Sequence, residues 1–158
     1  MYPALQELIH QAESKYLQQD DLNNLQIEIA RLRQRTLIYK TLRDQELTIF
    51  QDIADCLIEE SSPENHLTIE NYLHHWLRAT RYCAMAMLLN DRDFLERHLL
   101  EWLTDILAVS QDQNISSKLF NLLLKKLGKV FSEKELEFLT PFLNQANNYL
   151  SKNQSLKV

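Results

Sequence analysis

The sequence predicts an all-α fold, and three observations carry that expectation. The 158 residues hold one glycine and three prolines, too few for the turn every roughly 8–12 residues that a sheet protein needs. Leu, Gln, Glu, Lys and Ala abound, and these are good helix formers. Apolar residues recur at steps of three and four along most of the chain, which is the spacing of one helix face. A hydrophobic content of 45% is enough for one core. A single domain is expected over 1–150, with 151–158 as a frayed tail.

The elements follow in order. Leu5, Leu8, Ile9 and Ala12 mark a short first helix over 3–15, with Pro3 tolerated near its start. Asp20 and Asp21 are candidate caps for a second helix. There Leu22, Leu25, Ile29, Leu32, Thr36 and Tyr39 form a narrow seam, and Glu28, Arg31, Arg35 and Lys40 form the opposite, charged face. A third helix holds Leu47, Phe50, Ile53, Ala54 and Leu57. It ends before SSPEN, because Pro63 biases Ser62 away from helix. A fourth runs from about Thr68 to Leu89. NDRD at 90–93 breaks the pattern, and Asp91 or Asp93 can cap the fifth. Phe94, Leu95, Leu99, Leu103 and Ile106 mark the fifth helix's face, with Trp102 beside it. SQDQNISS at 110–117 reads as a loop. Leu119, Leu122, Leu123 and Leu127 follow, with Gly128 as a stop. SEKE at 132–135 matches a capping box. The last helix carries Leu136, Leu139, Leu143, Ala146 and Leu150, and Pro141 should kink or split it, with Thr140 as a new cap.

Charge and length exclude whole classes. A formal net charge of −5 lacks the basic footprint of a nucleic-acid binder. The longest strongly apolar run, AMAMLL at 84–89, is far below the ~20 residues that span a bilayer, so no membrane insertion is expected. The N-terminus lacks the order of a signal peptide. Cys56 and Cys83 have no CxxC spacing and read as two buried thiols of a reducing compartment.

HHWLRATRYCAMA at 74–86 is the densest cluster of chemistry-bearing residues. His74 and His75 are neighbours and point about 100° apart on a helix. Four residues after His74 stands Arg78, a poor neighbour for zinc. His75 and Cys83 share only a rough direction and lie ~12 Å apart along the axis. No metal site is expected. Cys83 stands among Ala79, Ala84 and Met87, which raises a thiol's pKa rather than activating it. One glycine cannot build a P-loop, a Rossmann turn or a nucleophile elbow. The chain does not read as an enzyme. His98, flanked by Glu96, Arg97 and Glu101, reads as a surface histidine rather than a haem ligand. His10 and His66 belong to no pattern.

Four segments carry a resemblance. AESKYL at 12–17, RLRQ at 31–34, LRATRYCAMAMLLND at 77–91 and SEKELEFLTPFLNQANNYLS at 132–151 stand in the order and register of the corresponding segments of phycobiliproteins. The chain thus resembles the phycobilisome protein family. The resemblance implies a globin-like helical domain with two N-terminal extension helices, and a cyanobacterial or red-algal-type plastid source. It implies no haem.

The departures bear on function. Where the family has its bilin-bearing cysteine and pyrrole-binding aspartate, this chain has Ile69 and Tyr72. Isoleucine forms no thioether, and tyrosine at neutral pH gives no carboxylate. The segment that helps to wall the family's bilin pocket shrinks to little more than SSPENH. No covalent bilin, and no cofactor, is therefore expected. Ile69, Tyr72, Leu73 and Trp76 mark the remnant pocket. It is either filled by their side chains or open to a flat ligand held without a bond.

The family also implies a pairing surface. Its acidic residue near the start of the chain, and an arginine and a tyrosine on the fourth helix, match Glu13, Arg78 and Tyr82. Tyr2, Leu5 and Ile9 would supply the apolar part. The expected partner is a second copy or a phycobiliprotein-like subunit, with phycobilisome or photosystem components beyond it. The expected function is a pigment-free binding module in assembly, regulation or docking of light-harvesting complexes. A non-covalent bilin or tetrapyrrole carrier or sensor is the alternative. The expected location is cytoplasmic, with the cytoplasmic face of the thylakoid membrane as one candidate.

Overall fold

The structure, a computed structural model, describes residues 2–106 and 113–155, with side chains at all of these but 100, 102–106, 113 and 152–155. The fold is all-α. Among the described residues there are six α-helices and one 3-10 turn, Pro63–Asn65. The helices are α1 (Pro3–Ser14), α2 (Gln19–Glu59), α3 (His66–Leu89), α4 (Arg92–Ile106), α5 (Gln113–Val130) and α6 (Glu133–Ser155).

The second and third expected helices are one. α2 runs unbroken for 41 residues, about 60 Å at 1.5 Å per residue. The stretch KTLRDQE between the two expected apolar runs is polar but holds no glycine or proline, so nothing in it interrupts the ladder. The expected seam is corrected with it. Leu22 and Ile29 are 41% and 53% exposed, and Leu47 is 77% exposed. Core burial begins only at Arg35 and continues through Ile38, Leu42, Ile49, Phe50, Ile53 and Leu57. Arg35 is thus a buried residue and not part of a solvated face.

Helix ends follow local chemistry. Asp21 Oδ2 accepts the Gln18 N–H at 2.9 Å at the start of α2. Asn90, at φ 50, ends α3 in the left-handed region. Its N–H reaches Met87 O at 3.1 Å, and the Asp91 N–H reaches Ala86 O at 3.0 Å, the paired bonds of a Schellman stop. Asp91 Oδ1 then accepts the Phe94 N–H at 3.0 Å and caps α4. The box at 132–135 forms as read: Glu135 Oε2 accepts the Ser132 N–H at 2.8 Å, and Ser132 Oγ accepts the Glu135 N–H at 3.4 Å.

Two expected breaks are absent, and part of a third is helical. Gly128 lies inside α5 with no positive φ, and α5 runs on past it to Val130. Residues 113–117, read as loop, are helical because Ile115 and Ser116 continue the buried face of α5; 110–112 lie outside the described residues. Pro141 neither splits α6 nor makes Thr140 a cap. It withholds one N–H, and the carbonyl left over belongs to the exposed residue Glu137. α6 continues to Ser155, past the expected end at 150. Leu95 and Leu99 are buried and Phe94 half-buried, as expected of the α4 face. Trp102, Leu103 and Ile106 lie outside the described side chains.

α3 is the centre of the molecule and packs against α2, α4, α5 and α6. It buries Ile69, Tyr72, Trp76, Ala79, Thr80, Cys83, Ala84, Ala86 and Met87. That set covers more than one helix face, as a helix with four neighbours requires. Its alanines let those neighbours come close. Ion pairs tie the outside: Arg81 grips Glu46 through two bonds of 2.7 and 2.9 Å, Lys126 meets Asp52 at 2.9 Å, and Lys118 meets Glu60. Among the described residues no helix is long and apolar enough to cross a membrane.

Candidate interaction surface and remnant pocket

The residues expected to mark a remnant pocket lie on one side of α3. Ile69, Tyr72 and Trp76 are buried, and Trp76 is wholly so. Its ring centroid stands 5.1 Å from that of Phe120 on α5, at 30°. Side chains of α3 and α5 therefore occupy this space. Leu73 differs. It is half-buried and lines a depression of about 220 Å³ between α2 and α3, with Leu47, Phe50, Ala54 and Leu77.

The chemistry-bearing cluster on α3 disperses. His74 is exposed and faces Glu70 at 3.8 Å, while His75 is half-buried. Among the described residues no group of three or more His, Cys, Asp or Glu converges as a metal site would require. Cys83 is wholly buried, and its Sγ–H donates to Phe142 O at 3.4 Å. Burial pushes its thiol far above the ordinary range. Cys56 is only half-buried, which corrects the reading of two buried thiols. A thiol reagent is expected to label Cys56 in the folded protein and Cys83 roughly a hundredfold more slowly, at the rate of opening. Equal labelling rates, read by mass spectrometry, would contradict the packing around Cys83.

His98 is also corrected. It is half-buried, not a surface residue, and its ring lies 4.1 Å from that of Phe94 and 5.1 Å from that of Tyr82. Its Nδ1 donates to Phe94 O at 2.8 Å.

The expected pairing residues occupy two places. Leu5, Ile9 and Glu13 lie on α1, where Leu5 is half-buried and Ile9 and Glu13 are exposed. Glu13 meets His10 of its own helix at 3.3 Å. Arg78 and Tyr82 lie one turn apart on α3, Arg78 exposed and Tyr82 half-buried against His98. Within the chain, among the described residues, Glu13 and Arg78 form no ion pair with each other. α1 packs on α2. No residue from Pro3 to Gln34 is buried, so α1 and the first part of α2 present Ile9, Leu22, Ile27 and Ile29 to the outside.

Tyr2 is not available to that surface. It is buried, and its hydroxyl donates to Glu28 Oε2 at 2.9 Å and accepts from Arg35 Nη1. Burial and the Glu28 carboxylate raise the Tyr2 phenol above its ordinary value. The Arg35 guanidinium lies 5.5 Å from the Tyr2 ring and 5.4 Å from that of Phe138. Sequence reasoning missed this clip, although one signal was available. Arg35, Ile38 and Leu42 are spaced three and four apart, so Arg35 shares a face with two core residues. No family model, curated protein or solved structure matches the chain.

Proposed function

We propose that the chain is a pigment-free protein-binding module of the phycobilisome type, with a globin-like core and a pairing surface on its N-terminal helices. The observation that carries this reading is the exposed apolar run from α1 into α2. Ile9, Leu22, Ile27 and Ile29 are each at least 41% exposed, on two helices that bury nothing before Arg35. Apolar residues such as Leu37, Leu47 and Leu67 are exposed elsewhere too, but the stretch from Pro3 to Gln34 buries none of its residues, and that favours an interaction site there. Glu13 at one place and Arg78 with Tyr82 at another would meet across two chains. Such a charged pair sets orientation and register more than affinity. The partner is a second copy or a phycobiliprotein-like subunit, and the role is assembly, regulation or docking of light-harvesting complexes in the cytoplasm or at the thylakoid face.

The carrier reading draws on the depression at Leu73. Its volume, about 220 Å³, falls below the roughly 300–1,000 Å³ of ordinary ligand sites, and a tetrapyrrole belongs at the larger end. Buried Ile69, Tyr72 and Trp76 favour the module instead.

Sedimentation velocity on wild type and Arg78→Glu tests the proposal. Charge reversal is expected to weaken association at least tenfold while helical content stays unchanged. An identical sedimentation profile would count against Arg78 as a contact. Native mass spectrometry from a bilin-producing host tests the alternative. A tetrapyrrole mass lost on denaturation would put the carrier reading first.

A further inference from the structure

The chain is acidic overall, yet three of its arginines line one pocket. Arg31, Arg35 and Arg92 border a space of about 360 Å³ between α2, the corner joining α3 to α4, and α6. Phe138, Pro141 and Phe142 of α6 supply an apolar wall, and Glu137 is the one carboxylate in the lining. Arg31 is countered from outside the lining by Glu28, whose Oε1 accepts from its Nη1 at 2.9 Å. Arg35 and Arg92 have no carboxylate within ion-pair distance among the described residues.

Arg35 is the decisive group. A buried cation with no carboxylate in direct contact is costly; Arg35 is only 9% exposed, and Glu28 reaches it only through the Tyr2 hydroxyl. The Tyr2 and Phe138 rings hold its guanidinium in place, and the Tyr2 hydroxyl takes one nitrogen. Its remaining donors can serve a ligand in the pocket. A planar fork held this way is preorganised for two parallel bonds to an oxyanion. Arg92 opens α4, a 15-residue helix, whose N-terminal end also favours negative charge. Asp91 already takes the Phe94 N–H there, so the guanidiniums are the main attraction.

We propose that this pocket binds the dianionic head of a small phosphate monoester. Arg35 is the bidentate donor, Arg92 and Arg31 flank it, and Phe138, Pro141 and Phe142 meet the organic part. The three guanidiniums outnumber the Glu28 and Glu137 carboxylates, so the site is net positive and suits an oxyanion, and Glu137 disfavours a higher charge. A phosphate monoester carries nearly two charges near neutral pH.

The test is calorimetric titration at low salt with phenyl phosphate, inorganic phosphate and succinate, on wild type, Arg92→Gln and Arg97→Gln. Arg97 is an exposed arginine of α4 outside the lining. Phenyl phosphate is expected to bind saturably and more tightly than inorganic phosphate. Arg92→Gln should weaken it about tenfold, and Arg97→Gln should leave it unchanged. Amide shifts at Asn90, Arg92 and Phe138 would locate it. Absence of saturable binding, or equal weakening in Arg97→Gln, would overturn the site. Succinate binding as tightly as phenyl phosphate would overturn the phosphate assignment and give the pocket to a dicarboxylate.

Discussion

Replacing Trp76 with alanine is expected to cost about 3–5 kcal/mol of folding stability, the usual range for deleting a large buried aromatic. The indole is wholly buried at the centre of α3, among the helices that α3 holds together. Its removal also strips Phe120 of its ring neighbour. Trp76→Phe should behave differently. The indole Nε1 is buried without a hydrogen-bond partner among the described residues, and an unsatisfied donor costs about 1–3 kcal/mol. Phenylalanine loses some packing but removes that donor, so the change is expected to stay within about 1.5 kcal/mol of wild type. Urea denaturation of both variants reads the difference. A loss below about 1 kcal/mol for Trp76→Ala would mean that this region is loosely packed, and would put the tetrapyrrole reading ahead of the module.

Tyr2→Ala is expected to release α1. That helix has 12 residues and none of them is buried, and an isolated helix of ~12–15 residues is marginal in water. The residue just before it, Tyr2, joins it to Glu28 and Arg35 of α2. Losing the ring uncovers the buried guanidinium and leaves the Glu28 carboxylate without its phenol donor. Amide exchange in α1 should then accelerate about thirtyfold, the equivalent of ~2 kcal/mol, while α3 and α5 keep their protection. Tyr2→Phe retains the ring and loses only the hydroxyl, so a smaller acceleration is expected. Wild-type exchange rates in α1 of Tyr2→Ala would show that its half-buried residues Leu5 and Leu8 hold it unaided.

Much of this molecule was legible before the structure. The all-α class follows from the helical spacing and the near absence of glycine and proline. The end of α3, the Asp91 cap and the box at Ser132–Glu135 are local events, set by side chains within three residues of the backbone groups that they satisfy. The burial of Cys83 was readable for the same reason, because its sequence neighbours on α3 are apolar.

Errors arose where a local sign had to be weighed against packing. Pro141 and Gly128 are signs of a break, but a helix whose other residues are held by neighbours tolerates the one bond that Pro141 withholds and the backbone freedom of one glycine. The mostly polar stretch 40–46 sends only Leu42 into the core, and periodicity alone cannot tell such a stretch from a linker. Phase was the harder matter. Leu22, Ile29 and Leu47 fit an apolar stripe as well as Ile38 and Leu42 do, yet only the latter meet other helices. Arg35 follows the same logic in reverse, since a guanidinium is buried when rings from elsewhere in the chain cover it. The sequence by itself determined the helices, because helix formation depends on residues three and four apart. Only the tertiary structure decided which stripe of each helix is core, and which of Trp76, Arg35 and Ile9 ends inside or outside. Burial depends on what the rest of the chain brings to that face.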